Sequence, residues 1–352
     1  MQINALQSRL EKNQAFLIHS PENRRYLTGF ASSDGYLFVT ENEAILFMDS
    51  RYIEAAQMQA KGCTEIALLT SLSQQLKEYA EKLGIKTVFT ESQRLSVSEF
   101  NRFCEILPCE CMAERADDAI DSLRRIKSLE EKQKILAAQA IAEKAFDRIL
   151  GFIKEGVTER EIALELDFYM LKNGAEYVSF ETIAVSGKNS SMPHGVPSDK
   201  KIERGDFITM DFGAVVDGYH SDMTRTVAVG EVSSKQAQVY ETVLAAQKKS
   251  LASLKAGVSC FDADAAARDI IKNAGCGAFF GHGTGHGVGI EIHEQPRLSP
   301  KSREILQIGD VVTVEPGIYL PGEFGVRIED MAFITENGFE NLTKSPKSLI
   351  IL

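Results

Sequence analysis

The sequence predicts an α+β protein of two domains, a smaller α/β unit at residues 1–124 and a larger unit at residues 125–352 that carries the chemistry. Three features point there. The first 120 residues alternate short apolar, strand-like runs with helix-like ones. A polar, charged stretch, ERADDAIDSLRRIKSLEEKQK at 114–134, then breaks the pattern and holds the boundary. Beyond it, long helical segments are interleaved with strands rich in Val, Ile and Thr, where acids and histidines collect. With 352 residues, 44% of them hydrophobic, the chain can bury two cores.

In the first domain, YLFVT (36–40) and AILFM (44–48) read as strands and SLSQQLKEYAEKLG (71–84) as a helix. In the second, Ile135, Ala138, Ile141, Ala145 and Ile149 recur at helical steps in a pattern running from about 129 to Gly156. Thr158 with Glu161 forms a capping box that opens a helix toward Gly174, carrying Ile162, Leu164, Leu166 and Tyr169. Two more helices are expected at 234–255 and 262–274, and strands at FITMDF (207–212), TRTVAV (224–229), VVTVE (311–315) and VRIEDMAFIT (326–335). No internal repeat is visible.

Composition excludes some partners. A formal net charge of −11 is the wrong sign for a nucleic-acid phosphate backbone or an anionic membrane. The amino terminus, MQINALQSRLEKNQ, lacks the apolar core of a signal peptide, and no apolar run nears the roughly 18 residues a spanning helix needs. The expectation is a soluble, cytoplasmic protein with its six cysteines reduced. Cys109 and Cys111 stand close together, but no second Cys or His pair follows at zinc-site spacing. Of six histidines, His194, His220, His282, His286 and His293 all lie in the second domain.

The run FITMDFGAVV, Asp217-Gly218, YHSDMTRTVAV reads as a hairpin with a type I′ turn, which places Asp211 opposite Thr224 and Gly213 opposite Asp222. The two aspartates then share a face, where unit charges about 4 Å apart repel by about 4 kcal/mol in an effective dielectric of about 20 unless a cation lies between them. Alone, such a pair also fits a solvated hairpin face. Glu315 and Glu329, however, interrupt segments that otherwise read as buried, and Arg327 shares the strand face of Glu329.

The segment GHGTGHGVGIEIHEQP (281–296) adds three histidines spaced by glycines that allow close backbone approach. Four carboxylates and an imidazole are balanced by two divalent ions, and this oxygen-rich set with one nitrogen suits Mn, Co, Fe or Zn. Neither an H-E-x-x-H helix nor a G-x-S-x-G elbow is present.

In the order MDFG (210–213), HSDMTRT (220–226), GHGTGHGVG (281–289), IHEQP (292–296), VEPGIY (314–319) and GVRIED (325–330), these motifs resemble the creatinase, prolidase and methionine-aminopeptidase superfamily of pita-bread peptidases, in its Xaa-Pro branch. NRRYLTGFASSDG (23–35) and DSRY (49–52) resemble that family's amino-terminal domain. The resemblance implies a pita-bread catalytic domain behind a creatinase-type domain. It implies metal ligands Asp211, Asp222, His286, Glu315 and Glu329, with His286 chosen over His282 because it stands seven residues before His293. Two divalent ions, manganese first and cobalt, zinc or iron otherwise, are the implied cofactors.

By the same resemblance Glu315 carries the proton, His194 and His293 serve catalysis and substrate, and His282, Tyr319 and Arg327 contact substrate. Tyr319 would line the proline-side pocket. Thr224 is a candidate to orient a ligand carboxylate, and Phe180 is either pocket wall or ordinary core. His220 stays outside the set. The implied substrate is a peptide with proline at its second position, and the implied assembly a homodimer. Arg327 fits a dipeptidase and an aminopeptidase equally. Two alternatives stand beside this reading: a catalytically silent binding protein, which lost ligands would mark, and a methionine-aminopeptidase-like enzyme, whose short type lacks such an amino-terminal domain.

Overall fold

The computed structural model describes residues 2–113 and 115–352; Met1 and Glu114, the latter opening the charged stretch, lie outside the described residues. The chain divides into two compact units, Met1–Arg124 and Arg125–Leu352. In chain order the first contains α1 (Gln2–Gln7), β1 (Gln14–Ile18), α2 (Pro21–Thr28), β2 (Tyr36–Thr40), β3 (Ala44–Met48), α3 (Ile53–Gln59), β4 (Glu65–Leu68), α4 (Leu72–Lys82), β5 (Thr87–Thr90), α5 (Val97–Ile106), β6 (Glu110–Met112) and α6 (Ala116–Arg125). Its six-stranded sheet runs β4-β3-β2-β1-β5-β6. Along β1, Phe16 and Ile18 enter one core with Leu27 and Ile120, while Ala15 and Leu17 enter another with Leu76 and Phe103. Burial on both faces is why strands such as AILFM are apolar throughout rather than alternating.

The second unit contains α7 (Leu129–Leu150), α8 (Glu159–Lys172), β7 (Ile183–Ser186), β8 (Phe207–Phe212), β9 (Val215–Val216), β10 (Tyr219–His220), β11 (Met223–Ala228), α9 (Ser234–Ser253), α10 (Cys260–Asn273), β12 (Gly285–Gly287), β13 (Glu294–Leu298), β14 (Val311–Val314), β15 (Gly317–Leu320), β16 (Phe324–Arg327), β17 (Asp330–Ile334) and β18 (Phe339–Asn341). Sheets β11-β8-β7 and β13-β12-β14-β17-β18 are accompanied by the short pairs β10-β9 and β15-β16. Ile208, Met210 and Phe212 pack with Phe146, Ile162 and Leu166 of α7 and α8. Val312 and Val314 pack with Leu251 and Cys260 of α9 and α10. Helices thus cover one face of each sheet and leave the alternate residues of β8 and β14 for the site.

The end of one helix differs from expectation. Helix α7 stops at Leu150, not near Gly156: the Gly151 N–H turns back to the carbonyls of Arg148 and Ile149, and Ile153 and Val157 then fold into the same core. Helix α8 has its predicted capping box. It buries Ile162, Ala163, Leu166 and Met170, and Leu164 faces out at 60% exposure.

Candidate active site

The hairpin register is that of the sequence. Val216 pairs with Tyr219 across Asp217 and Gly218, whose φ values of 49° and 80° make the type I′ turn, and Asp211 pairs with Thr224. A Cβ on Gly213 would lie 1.9 Å from the Ser221 carbonyl, so the close crossing beside Asp222 requires glycine. Because Met210 and Phe212 point to the helices, Asp211 points to the other face. In β14 the same alternation sends Thr313 and the following Glu315 away from α9 and α10. Glycine also brings in the imidazole: a Cβ on Gly285 would lie 1.9 Å from the Thr313 carbonyl, and His286 N donates to Thr313 Oγ1 at 3.1 Å.

Glu329 departs from the expected single strand over 326–335. The chain leaves β16 at Arg327 and enters β17 at Asp330. At the crossing Glu329 N donates to Thr224 O (3.1 Å) instead of to its own ladder. Thr224 Oγ1 donates to Glu329 Oε2 at 2.7 Å, so this threonine steadies Glu329 rather than the Asp211 it faces across the ladder. Arg327 does the converse: its Nη2 lies 2.6 Å from Asp211 Oδ2, not beside Glu329. The strand break rotates the two side chains out of the shared face that continuous alternation would give.

Ligand-type atoms of Asp222, His286 and Glu329 all lie within 4.8 Å of one another. His286 Nε2 is 3.5 Å from Asp222 Oδ2 and 3.4 Å from Glu315 Oε1. Buried Asp211 Oδ1 has no partner among the described residues. Burial, with Asp211 and Glu315 nearby, pushes Asp222 well above the usual carboxylate range; burial, with Asp222, Glu315 and Asp211 nearby, does the same to Glu329. Glu315 is pushed up to about 8, chiefly by burial. His286, held down to about 3 by burial, is neutral. Its Nδ1 donates to Gly287 O at 3.0 Å, which leaves a lone pair on Nε2 facing carboxylate oxygens. Acceptors facing acceptors in a buried cluster are stable with cations among them, and these five residues fit divalent metal ions.

The cluster opens into a cavity of about 760 Å³ lined also by Phe180, Glu181, Pro193, His194, His282, Ile292, His293, Arg297 and Arg327. His293 packs edge-on against His286, with ring centroids 4.4 Å apart. His282, held down to about 4 by burial, has Nε2 3.0 Å from Tyr319 Oη. Tyr319, expected as pocket lining, is buried behind the wall: Arg327 Nη1 donates to its hydroxyl at 2.9 Å, and it braces His282 and Arg327. Arg327 further donates from Nε to Thr224 Oγ1 and from Nη1 to Pro193 O, which leaves it little capacity for substrate. His220 is outside the cavity, its Nδ1 2.9 Å from Ser179 Oγ. Sequence reasoning missed Arg297. The signal was the ladder: Arg297 lies opposite His286 in the β12–β13 pairing.

The model of metallopeptidase family M24 matches residues 133–336, and that of the creatinase/prolidase N-terminal domain matches residues 2–126. The chain belongs to metallopeptidase family M24. It is 40% identical to a Xaa-Pro dipeptidase of Pyrococcus furiosus over 98% of this chain and 100% of that one. A solved Xaa-Pro dipeptidase from Bacillus anthracis superposes with a TM-score of 0.96 at 42% identity, covering 100% of this chain and 99% of the other. An X-Pro aminopeptidase from Thermotoga maritima gives 0.92 at 39% identity, covering 98% and 99%. The M24 member is thus a two-domain metallopeptidase with the creatinase-type amino-terminal domain.

Proposed function

We propose that this M24 peptidase is a dinuclear-metal exopeptidase that cleaves the Xaa-Pro bond at the amino terminus of short peptides, with Xaa-Pro dipeptides its preferred substrates. The observation that carries the reading is the acceptor set of buried Asp222, His286 and Glu329 with half-buried Asp211 and Glu315, opening on a cavity that also holds Arg297. Those five residues would hold two divalent ions, manganese first, with cobalt, zinc or iron as the other candidates. When bound, such ions supply the positive charge that acidifies water and polarises the carbonyl before proline.

The chain's own groups do the rest. A proline leaves through a tertiary amide nitrogen that must be protonated as the bond breaks, and Glu315 takes a proton at its carboxylate from the attacking water and returns it to that nitrogen. His194, whose ring has no hydrogen-bond partner among the described residues, faces the cavity and is free to donate to the developing oxyanion. His293 stands beside it as a substrate contact. Arg327 is engaged with Asp211 and Tyr319, whereas among the described residues the Arg297 guanidinium has no acidic partner. Arg297 is therefore the group to receive the free carboxylate of a dipeptide.

The reading also carries a cytoplasmic location and a homodimer, the latter tested by sedimentation against the monomer mass of 38.8 kDa. The decisive assay loads the protein with Mn or Co and compares release of the first residue from Xaa-Pro, Xaa-Pro-Yaa-Zaa and a Met-Ala peptide. Faster cleavage of the dipeptide supports the reading. Preference for the tetrapeptide makes the protein an aminopeptidase, cleavage of Met-Ala alone makes it methionine-aminopeptidase-like, and no turnover with no bound metal makes it a silent binding protein.

A further inference from the structure

His194 reaches the cavity from an irregular segment, 187–197, with no regular structure beyond a 3-10 turn at Gly187–Ser191. Since the ring has no hydrogen-bond partner among the described residues, its place is set by the course of that backbone. Glu159, the first residue of α8 and 0% exposed, fixes the course at both ends. Its Oε1 accepts from Ser186 N (2.7 Å), Ser186 Oγ (2.9 Å) and Asn189 Nδ2 (3.1 Å). Its Oε2 accepts from Asn189 Nδ2 (3.2 Å), Ser198 N (3.1 Å) and Ser198 Oγ (2.6 Å).

One carboxylate thus ties the residue before the segment to the residue after it. Among the described residues all its donors are neutral, and its place in the first turn of a helix favours the negative charge. Arg160 N donates to Ser198 O at 3.0 Å, so the same helical turn grips the backbone beside the carboxylate. On the cavity side the segment is registered against β16, where Gly325 N donates to Ser190 Oγ (2.9 Å) and Arg327 Nη1 to Pro193 O (3.2 Å). Burying a carboxylate is costly unless its acceptor capacity is filled, and here it is filled by Ser186 and Ser198 at the two bases of the His194 segment and by Asn189 within it.

We propose that Glu159 is a positioning residue for His194: it clips the segment closed and holds the imidazole at the cavity wall. His194's catalytic part rests on the peptidase reading above, but the clip does not. Glu159→Gln replaces an acceptor oxygen with an amide NH₂ that confronts other donors, so one end of the segment comes loose. In E159Q, kcat for an Xaa-Pro dipeptide should fall roughly ten-fold at unchanged metal content, because a misplaced group loses its orientation advantage. In an H194N background the same substitution should change kcat by less than about two-fold, the non-additivity expected when one residue acts through the other.

A readout independent of turnover is limited trypsin digestion at Lys188, exposed within the segment, which should be faster in E159Q. Equal fold-losses of kcat in the two backgrounds, or an unchanged kcat in E159Q, overturn the positioning role; unchanged cleavage at Lys188 overturns the clip. If no Xaa-Pro peptide is turned over, the peptidase reading falls, and the trypsin result still decides the clip. Should E159Q be insoluble, S186A/S198A removes two hydroxyl donors and should give the same pattern with smaller amplitude.

Discussion

Arg327 and Asp211 meet with Nη2 2.6 Å from Oδ2, and the contact occupies one oxygen of the aspartate while Oδ1 is left without a partner among the described residues. The same guanidinium is fixed by Thr224, Tyr319 and the Pro193 carbonyl. Asp211 is therefore aimed by a planar fork that is itself held on several sides, and the free oxygen is the one available to a metal ion.

Arg327→Lys keeps the charge and loses the fork. A single ammonium cannot reach Asp211, Tyr319 and Pro193 O together, so R327K should bind divalent metal roughly 10- to 100-fold more weakly, as loss of a group supporting a ligand generally does. Equilibrium dialysis with metal analysis measures this. Wild-type affinity in R327K would show that the fork does not set the aspartate's orientation.

Glu315→Gln tests the proton carrier. The amide keeps the size and loses the basicity, and turnover of an Xaa-Pro dipeptide should drop by roughly 10²- to 10⁴-fold, the usual worth of a general acid–base group. Metal content is measured alongside, to separate lost chemistry from lost metal. A metal-loaded E315Q turning over at the wild-type rate would remove Glu315 from that role.

The parts of the site that were legible were those governed by local rules. Asp217-Gly218 demands a type I′ turn, that turn fixes a register, and the register puts Asp211 opposite Thr224. Glycine spacing around His286 likewise reports close backbone approach. What the sequence hid was non-local. The segment VRIEDMAFIT is apolar enough to read as one strand, but Glu329 N bonds to Thr224 O of another strand and breaks it, which exchanges the partners expected for Arg327 and Thr224. The family resemblance alone puts Tyr319 on the pocket wall. Only the packing shows its hydroxyl turned inward to His282 and Arg327.

His282 gives a pH dependence whose sign is definite. Burial holds it at about 4 in the folded protein, against 6.5 for the free side chain. Below about 6.5 the unfolded chain takes up a proton that the folded chain refuses until about 4, so this group's contribution is full above that window and is lost as pH falls through it. Urea unfolding of chelator-treated protein at pH 7 and pH 4.5 should show the wild type losing about 2 kcal/mol more than H282N. Parallel losses in the two proteins would mean that His282 titrates normally.

Arg297 decides between dipeptide and longer substrates. Its guanidinium has no acidic partner among the described residues and lines the cavity, whereas every nitrogen of Arg327 is engaged by the protein. A carboxylate on the proline of Xaa-Pro would meet Arg297 as a charge-assisted fork; in Xaa-Pro-Yaa-Zaa that carboxylate is an amide and the pairing is gone. R297Q should therefore raise KM for the dipeptide by roughly 10-fold or more with little change in kcat, the pattern of an interaction shared by ground and transition states. KM for the tetrapeptide should stay within about two-fold of wild type. Equal effects on both substrates would assign Arg297 to the architecture of the β12–β13 ladder rather than to recognition of the chain end.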